Sequence, residues 1–560
     1  MKLLSLEIET SFRSLPEHFK IDFQSTDCLD KLSAFRPFCM VGLNGCGKSN
    51  VLEAISHIFY HLELCVGVHI PQSLIGNESA FSRKKCVIDE YTLEYLHNEK
   101  QGKIFDINNI VKVRIEKKEG EEPRMSVSRN LDKDKFLPIS LMPSVSNNQV
   151  AEGKRYLPEY IVAYSSGENE TLNIPYIKSR ILHLEEFKEA TLNGYQDYDK
   201  PENGLVYIDA NMSQAILLCC LLFEDDKTLS CLSNYDYTGI LGVKRFRMAL
   251  REHRLSYQDS KATYFRILKN DLFKKLELCS TLSWHNMKND VYYYDFYVND
   301  SMKRAFRDNF NSALDCFQYF RLLYELNYYT ITTNKETEIL GSHGIYTEGK
   351  YSLPGPEDDT FHFLDFYLTK QISKDGEKKD ILLRSFSDGE HQFIHTMAIC
   401  LLLKNSDALI LLDEPETHFN PNWRSQFIHI LNESLSNANN STGYDADTSN
   451  FLKEVLITSH SPFIISDCQS DHVIILSKDD KGRTVSQTAK EKGIQTYGTS
   501  VGVLTSEIFD NDDSIGMRAY QEMKDISQNE PDKAKAVNEI NSKFGESLEK
   551  LIVVSQLKQK

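Results

Sequence analysis

Apolar and polar positions along this chain change rhythm several times, and each change predicts an element or a boundary. Met1–Glu9, Tyr91–Leu96, Ile110–Ile115 and Met125–Ser128 alternate with the two-residue period of half-buried strands, and a charged turn spans 117–123. Arg36–Val41 and Leu157–Tyr164 are short continuous apolar runs of strand type, and Ser49–Phe59 carries apolar residues at helical spacing. From about Asn211 to Asn327 the pattern predicts long, polar, aromatic-rich helices, as over Met248–Tyr257, Lys261–Cys279 and Met302–Glu325. A loop-rich β segment follows over 334–380, marked by Gly341, Gly344, Gly349, Pro354 and Pro356. After Phe386 helix and strand alternate up to Leu476, around a polar loop at 437–450. The C-terminal stretch is charged and helical, with Val537, Ile540, Phe544, Leu548 and Leu551 on one face and Gly545 set against that reading. There is no internal repeat and no sustained heptad.

Four segments carry candidate chemistry. Gly42-Leu-Asn-Gly-Cys-Gly-Lys-Ser49 has the Gly-x4-Gly-Lys-Ser spacing of a phosphate-binding loop, between the strand-like run and the helix. Glycines let the backbone turn and aim N–H groups at phosphate oxygens, and the helix N-terminus adds partial positive charge. Asn44, Gly45, Cys46, Gly47, Lys48, Ser49 and Asn50 are the predicted nucleotide contacts; Lys48 reaches the β- and γ-phosphates and the Ser49 hydroxyl ligates Mg2+. Ala408–Asp413 is an apolar strand ending in acids, which places Asp413 beside the loop to hold Mg2+ opposite Ser49. Glu414, one residue on, orients or deprotonates the attacking water. Ser385–Gln392 puts a Ser-x-Gly turn (Ser387, Gly389, then Glu390) at the start of an apolar helix, a second anion site. It lies too close in sequence to the Asp413 strand, and points too differently, to serve the same nucleotide within one subunit. Glu454–Pro462 is a further strand, ending at His460, whose imidazole can hydrogen-bond a γ-phosphate. A lone histidine at a strand end is more often structural; its place after the other three segments argues for function.

Composition narrows the setting. The chain of 560 residues is 41% hydrophobic and 26% charged, ordinary for a soluble globular protein of several domains. Its longest apolar run, Ala215–Phe223, is too short to span a bilayer, and the first residues read as a strand and not a signal peptide. Twelve cysteines without a C-x2-C pair exclude the usual zinc and disulfide frameworks and point to a reducing cytoplasm. The pairs His57/His61 and His391/His395 sit on helices that begin at nucleotide motifs and read as packing residues, not a metal site. With a net charge of -17 the surface as a whole cannot be a nucleic-acid glove. Lys244–Lys275 is a local exception: Lys244, Arg245, Arg247, Arg251, Arg254, Lys261, Arg266, Lys269, Lys274 and Lys275 face only Glu252, Asp259 and Asp271, with Phe246, Tyr257, Tyr264, Phe265 and Phe273 interleaved. A solvated helix face and a polyanion-binding surface both fit it.

In their order, the four segments resemble the ABC-type ATPase head. The phosphate loop resembles Walker A, Phe386–Glu390 the signature motif, Leu409–Glu414 Walker B with its catalytic glutamate, Thr417–Asn420 the D-loop, and His460 the switch histidine. The flanks of these motifs, in Gly47–Ala54, Asp413–His418 and Ile457–Pro462, are similar to the RecF/SMC/OLD branch. Ile161–Glu170 together with Ser385–Gln392 resembles the ATPases of bacterial antiphage defence loci, of which the PtuA subunit of Septu and retron-linked systems is the nearest in motif.

The resemblance implies an α/β head with a mixed, mostly parallel core sheet, flanking helices and an antiparallel β subdomain. It implies ATP and Mg2+ as cofactors, and a homodimer or higher even oligomer in which Ser387 and Gly389 complete the site of the opposite head. It further implies a separate HNH nuclease as partner, cytoplasmic location and no membrane contact; nucleic acid at Lys244–Lys275 stays open. The expected division is an N-terminal lobe (1–200), a mostly helical insertion with a β-rich end (201–380), a C-terminal lobe (381–510) and a helical tail (511–560). The chain departs from the family pattern at Asp388, where transporters have glycine. The Q-loop position is also unsettled, with Gln149 and the turn over 165–170 as candidates. The insertion is too short for an SMC or Rad50 arm, and no strand supplies the metal-binding Glu of an OLD-type Toprim nuclease. The competing function is a RecF-like DNA-binding ATPase of repair.

Overall fold

The computed structural model describes residues 1–24, 35–68, 70, 74, 81–99, 107–129, 135–144, 149–167, 169–192, 201–251, 273–327, 338–342, 359–437, 453–511 and 514–559. A seven-stranded sheet organises the head. Its order is Thr484–Thr488, Val473–Lys478, Phe38–Val41, Lys453–Thr458, Ala408–Asp413, Tyr160–Ser165 and Leu205–Tyr207. Every neighbouring pair is parallel except the first. Parallel strands are covered on both faces, which is why Phe-Cys-Met-Val, Ala-Leu-Ile-Leu-Leu-Asp and Lys-Glu-Val-Leu-Ile-Thr are buried along their whole length, the charged Lys453 and Glu454 included.

The two faces of that sheet build two cores. Cys39, Val41, Ile410, Leu412, Val455 and Ile457 pack against helices Ala210–Phe223, Asp388–Leu402 and Pro421–Asn437. Phe38, Met40, Leu409, Leu411 and Leu456 pack against helix Lys48–Val66 and a second, six-stranded antiparallel sheet. That sheet runs Phe19–Asp22, Lys2–Ile8, Tyr91–Asn98, Ile110–Lys117, Arg124–Ser128 and Leu137–Ile139. The α/β class and the antiparallel subdomain are as expected. The histidine pairs are packed: Ser82 O accepts from the His61 ring at 2.9 Å, and His395 stands edge-on to Tyr164 with centroids 6.0 Å apart. Burial pushes His61 down to about 4 and His395 to about 3, so both are neutral near pH 7.

The expected helical insertion is corrected. Met302–Glu325 is helical, as Asp300–Asn309 and Ala313–Glu325, capped by the side chains of Asn299 and Ser312. Of the helix predicted over Met248–Tyr257, the described part, Met248–Arg251, is instead the end of strand Ile240–Arg251, the centre of a five-stranded antiparallel sheet. The reason is period: Phe246, Met248 and Leu250 point inward while Arg245 and Arg247 point out, an alternation of two and not of 3.6. Phe246 stacks on Phe296 at 4.4 Å and Phe366 at 5.8 Å between ring centroids, and these cross-strand pairs hold the sheet. On the outer face Arg247 pairs with Asp295 at 2.5 Å and lies over Trp284, and Arg245 lies over Tyr367. Most of the basic stretch, 252–272, lies outside the described residues, as do 343–358 and the polar loop over 438–452.

The C-terminal stripe is also corrected. Helices Met517–Asn529, Lys533–Lys543 and Leu548–Gln559 enclose a small core of Met523, Ala536, Ile540, Val553 and Leu557, onto which Val537 and Phe544 pack. Phe544 ends the second helix, so Leu548 and Leu551 begin a new one and are exposed beside Ile552. No helix among the described residues is long and apolar enough to cross a membrane.

One buried ion cluster ties helix Ala313–Glu325 to helix Glu170–Leu192 and the seven-stranded sheet. Glu325 of helix Ala313–Glu325 accepts from Arg321 at 2.8 Å and pairs with His183 of helix Glu170–Leu192, and Arg321 also donates to Leu205 O at 3.1 Å. Glu325 and Arg321 are 0% and 1% exposed, so neither charge has water as an alternative partner. Glu325→Ala is expected to lower the unfolding free energy by about 3–5 kcal/mol, because it strands a buried cation; the shift of the urea midpoint at constant slope measures it.

Candidate nucleotide site

The strand Phe38–Val41 runs into the glycine loop, and the loop into helix Lys48–Val66. Gly45 and Gly47 take φ of 78° and 96°, and Gly42 takes 144°. A Cβ on Gly42 would lie 2.1 Å from Leu476 O, so only glycine lets the loop pass the neighbouring strand. Asn44 and Gly45 are exposed and Cys46 is buried. Lys48 is buried, and its ammonium donates to Gly42 O at 3.2 Å and Leu43 O at 3.3 Å and so lies across its own loop. Burial pulls its pKa down, and the charges around it, including Glu414 and Asp413, oppose that.

Asp413 gathers the site. Its Oδ1 accepts from Ser49 Oγ at 2.8 Å and Thr458 Oγ1 at 2.7 Å; its Oδ2 accepts from Asn169 Nδ2 at 2.9 Å and Ser165 Oγ at 3.4 Å. These donors stand at the ends of four different segments. Ser49 and Asp413 touch directly, and both offer hard oxygen atoms, the donor set that suits Mg2+. They would hold that ion, which supplies charge to balance the phosphate oxygens.

Glu414 follows in the left-handed region, φ 49°, with its N–H donated to Thr458 O at 3.2 Å and Thr458 Oγ1 at 3.0 Å. Its carboxylate stands 3.4 Å from His460 Nε2, both half-buried. Burial and then the Asp413 charge push Glu414 upward, while Lys48 works against them. Burial and then Lys48 push His460 downward, which favours a neutral imidazole. A raised carboxylate beside a neutral imidazole is suited to taking up and holding a proton.

The signature segment is a helix start. Ser387 caps helix Asp388–Leu402 in a reciprocal box with Glu390, whose carboxylate accepts the Ser387 N–H at 2.9 Å and also pairs with Lys370. Burial alone would raise Glu390, but Lys370 and the Ser387 N–H carry it below its ordinary value. A Cβ on Gly389 would meet His418 O at 2.7 Å, and His418 N–H donates to Gln392 Oε1 at 3.0 Å. This helix start is thus docked on the turn after Glu414. Among the described residues no hydrogen bond or ion pair joins 387–390 to the glycine loop.

Residues 1–465 match the AAA ATPase domain family. The chain belongs to that family. Among solved structures, this ATPase is similar to the SMC head bound to the C-winged helix domain of ScpA, at 10% identity and a TM-score of 0.33 over 88% of this chain and 100% of that one. The SMC head domain from Thermotoga maritima follows at 10% identity and a TM-score of 0.30, over 87% and 99%. Likeness at that level decides nothing about the site. No curated protein matches the chain.

Several contacts around the glycine loop and Asp413 were not legible in the sequence of this ATPase. Asn169, in the turn over 165–170 that stood beside Gln149 as a candidate, donates to Asp413, whereas Gln149 is exposed and bridges to Ser144. The signal was the turn over 165–170, but which residue of it faced Asp413 depends on how helix Glu170–Leu192 starts. Asn50 was expected on the nucleotide and is held by Ser14 Oγ at 2.7 Å and Glu53 at 3.2 Å. Glu53 also receives Arg13 at 3.0 Å, which brings the 12–15 turn against the loop. Asn169→Asp keeps an acceptor for the Leu172 N–H that Asn169 caps at 3.2 Å, yet sets a carboxylate against Asp413. It is expected to slow ATP hydrolysis about tenfold or more, ~1.4 kcal/mol in the barrier, with an unchanged thermal midpoint, while Gln149→Ala leaves the rate unaltered.

Proposed function

We propose that this ATPase is the scaffold and sensor subunit of a bacterial antiphage defence complex. It works in the cytoplasm as an ABC-type ATPase of the RecF/SMC/OLD branch, most like the PtuA subunit of Septu and retron-linked systems, and controls a separate HNH nuclease. The observation that carries the ATPase part is the meeting of Ser49, Asn169 and Thr458 on Asp413, with Glu414 and His460 alongside. The motif flanks and the Ile161–Glu170 segment support the defence assignment. An exposed trio, Leu548, Leu551 and Ile552, on a helix outside the family match, offers the partner an apolar contact.

In this reading two heads close over two nucleotides. Among the described residues the signature helix start makes no hydrogen bond or ion pair with its own glycine loop, and it is free to meet the opposite one, where its N–H groups and Ser387 complete the γ-phosphate site. Lys48 and the loop amides bind the triphosphate, Ser49 and Asp413 hold Mg2+, Glu414 accepts a proton from water and His460 orients the γ-phosphate.

Two measurements test the reading. Lys48→Ala weakens ATP binding, since it removes a cation from the triphosphate, whereas Glu414→Gln binds ATP and turns it over slowly, trapping closed dimers visible by size-exclusion chromatography. Mixing Lys48→Ala with Ser387→Arg restores hydrolysis that neither variant shows alone, through about one intact composite site per heterodimer. Heterodimers without hydrolysis would place the whole site in one subunit. Co-purification of a nuclease with the full chain, lost on Leu551→Glu, tests the partner surface.

A further inference from the structure

We infer that Glu416 is a positioning residue for ATP hydrolysis, tying the turn that carries Glu414 to the turn that carries His460. The inference rests on the reading of Glu414 and His460 proposed above. Glu416 lies two residues beyond Glu414 and is 4% exposed. Its Oε1 accepts the Ser459 hydroxyl, and Ser459 Oγ in turn accepts the Ser461 N–H at 2.9 Å. The Ser459 N–H donates to Met40 O at 3.1 Å, on the strand that leads into the glycine loop. His460 is therefore bracketed by two residues that meet at one hydroxyl oxygen, and that oxygen is held by Glu416.

The Glu414 side of the clamp is pinned as well. Glu416 O accepts from the Phe419 N–H at 2.9 Å and Arg424 Nε at 3.3 Å, and Thr417 N–H donates to Glu414 O at 3.3 Å. These bonds support Glu414 at φ 49°, a conformation that persists in a non-glycine residue only when its surroundings hold it. The clamp is costly to keep. Glu416 Oε2 is buried with no hydrogen-bond partner among the described residues, and burial pushes the acid up to about 7. An apolar side chain would pack there without that penalty, so the carboxyl group is explained by what it holds and not by stability. What it holds is the 3.4 Å spacing between Glu414 and His460.

The test is steady-state ATP hydrolysis by the full chain carrying Glu416→Ala, Glu416→Gln, Ser459→Ala or the Glu416→Ala/Ser459→Ala pair, with Glu414→Gln as control. Glu416→Ala and Ser459→Ala are each expected to lower kcat by about 10-fold or more, as misplaced catalytic groups do, while KM for ATP stays near wild type. Glu416→Gln keeps an oxygen acceptor for Ser459 and is expected to restore most of kcat. The double variant is no worse than either single, because both act through one bond. Thermal midpoints separate a positioning defect from unfolding. If Glu416→Ala fails to fold, Ser459→Ala, which deletes one hydroxyl, decides. Wild-type kcat in both singles beside a slow Glu414→Gln would overturn the clamp alone, as would additive losses or a defect confined to KM. A wild-type rate in Glu414→Gln would overturn the reading beneath it.

Discussion

The carboxylate of Asp413 receives hydrogen bonds from Ser49, Ser165, Asn169 and Thr458, which lie between 45 and 364 positions from it in the chain. Isolated, such a group would need water or a counter-charge; buried among four donors it is satisfied, and each donor is in turn oriented by it. The phosphate loop, the turn before helix Glu170–Leu192 and the strand leading to His460 are thereby set against one atom pair. A site assembled this way is braced, since none of its parts can shift without breaking a bond to the same carboxylate.

The parallel sheet makes that meeting possible. Phe38–Val41, Lys453–Thr458, Ala408–Asp413 and Tyr160–Ser165 are adjacent and run the same way, so their C-terminal ends form one edge. In register, Asp413 stands opposite both Thr458 and Ser165. Open sheets bind ligands beyond their C-terminal edge for this reason. The two hydrophobic cores fix the sheet from either side, which leaves the edge itself to polar residues.

The site is also mechanically connected to the rest of the molecule. Asn169 reads Asp413 from the turn before helix Glu170–Leu192, and His183 of that helix is locked to Glu325 of the insertion. On the other side, the turn after Glu414 carries His418, which supports the start of the signature helix at Gly389 and Gln392. These contacts join the surroundings of Asp413 to helix Ala313–Glu325 on one side and to the helix start that carries Ser387 on the other.

The sequence by itself determined the parts of this protein that short-range chemistry specifies. The glycine loop, the buried strand ending in Asp413 with Glu414 next, and the strand ending in Thr458 two residues before His460 were legible because each is a contiguous pattern whose apolar run and following polar residues carry the whole signal. The helical reading from Met248 failed because it began part-way along the two-residue alternation of Phe246, Met248 and Leu250 with Arg245 and Arg247, which pairs with strands carrying Phe296 and Phe366. The C-terminal stripe failed at Phe544, where one helix stops and another begins. Asn169 at Asp413, Ser14 at Asn50 and Glu416 at Ser459 were decided only by tertiary structure. Each pair joins residues far apart in the chain, and which atoms meet depends on strand register and turn geometry that no local pattern encodes.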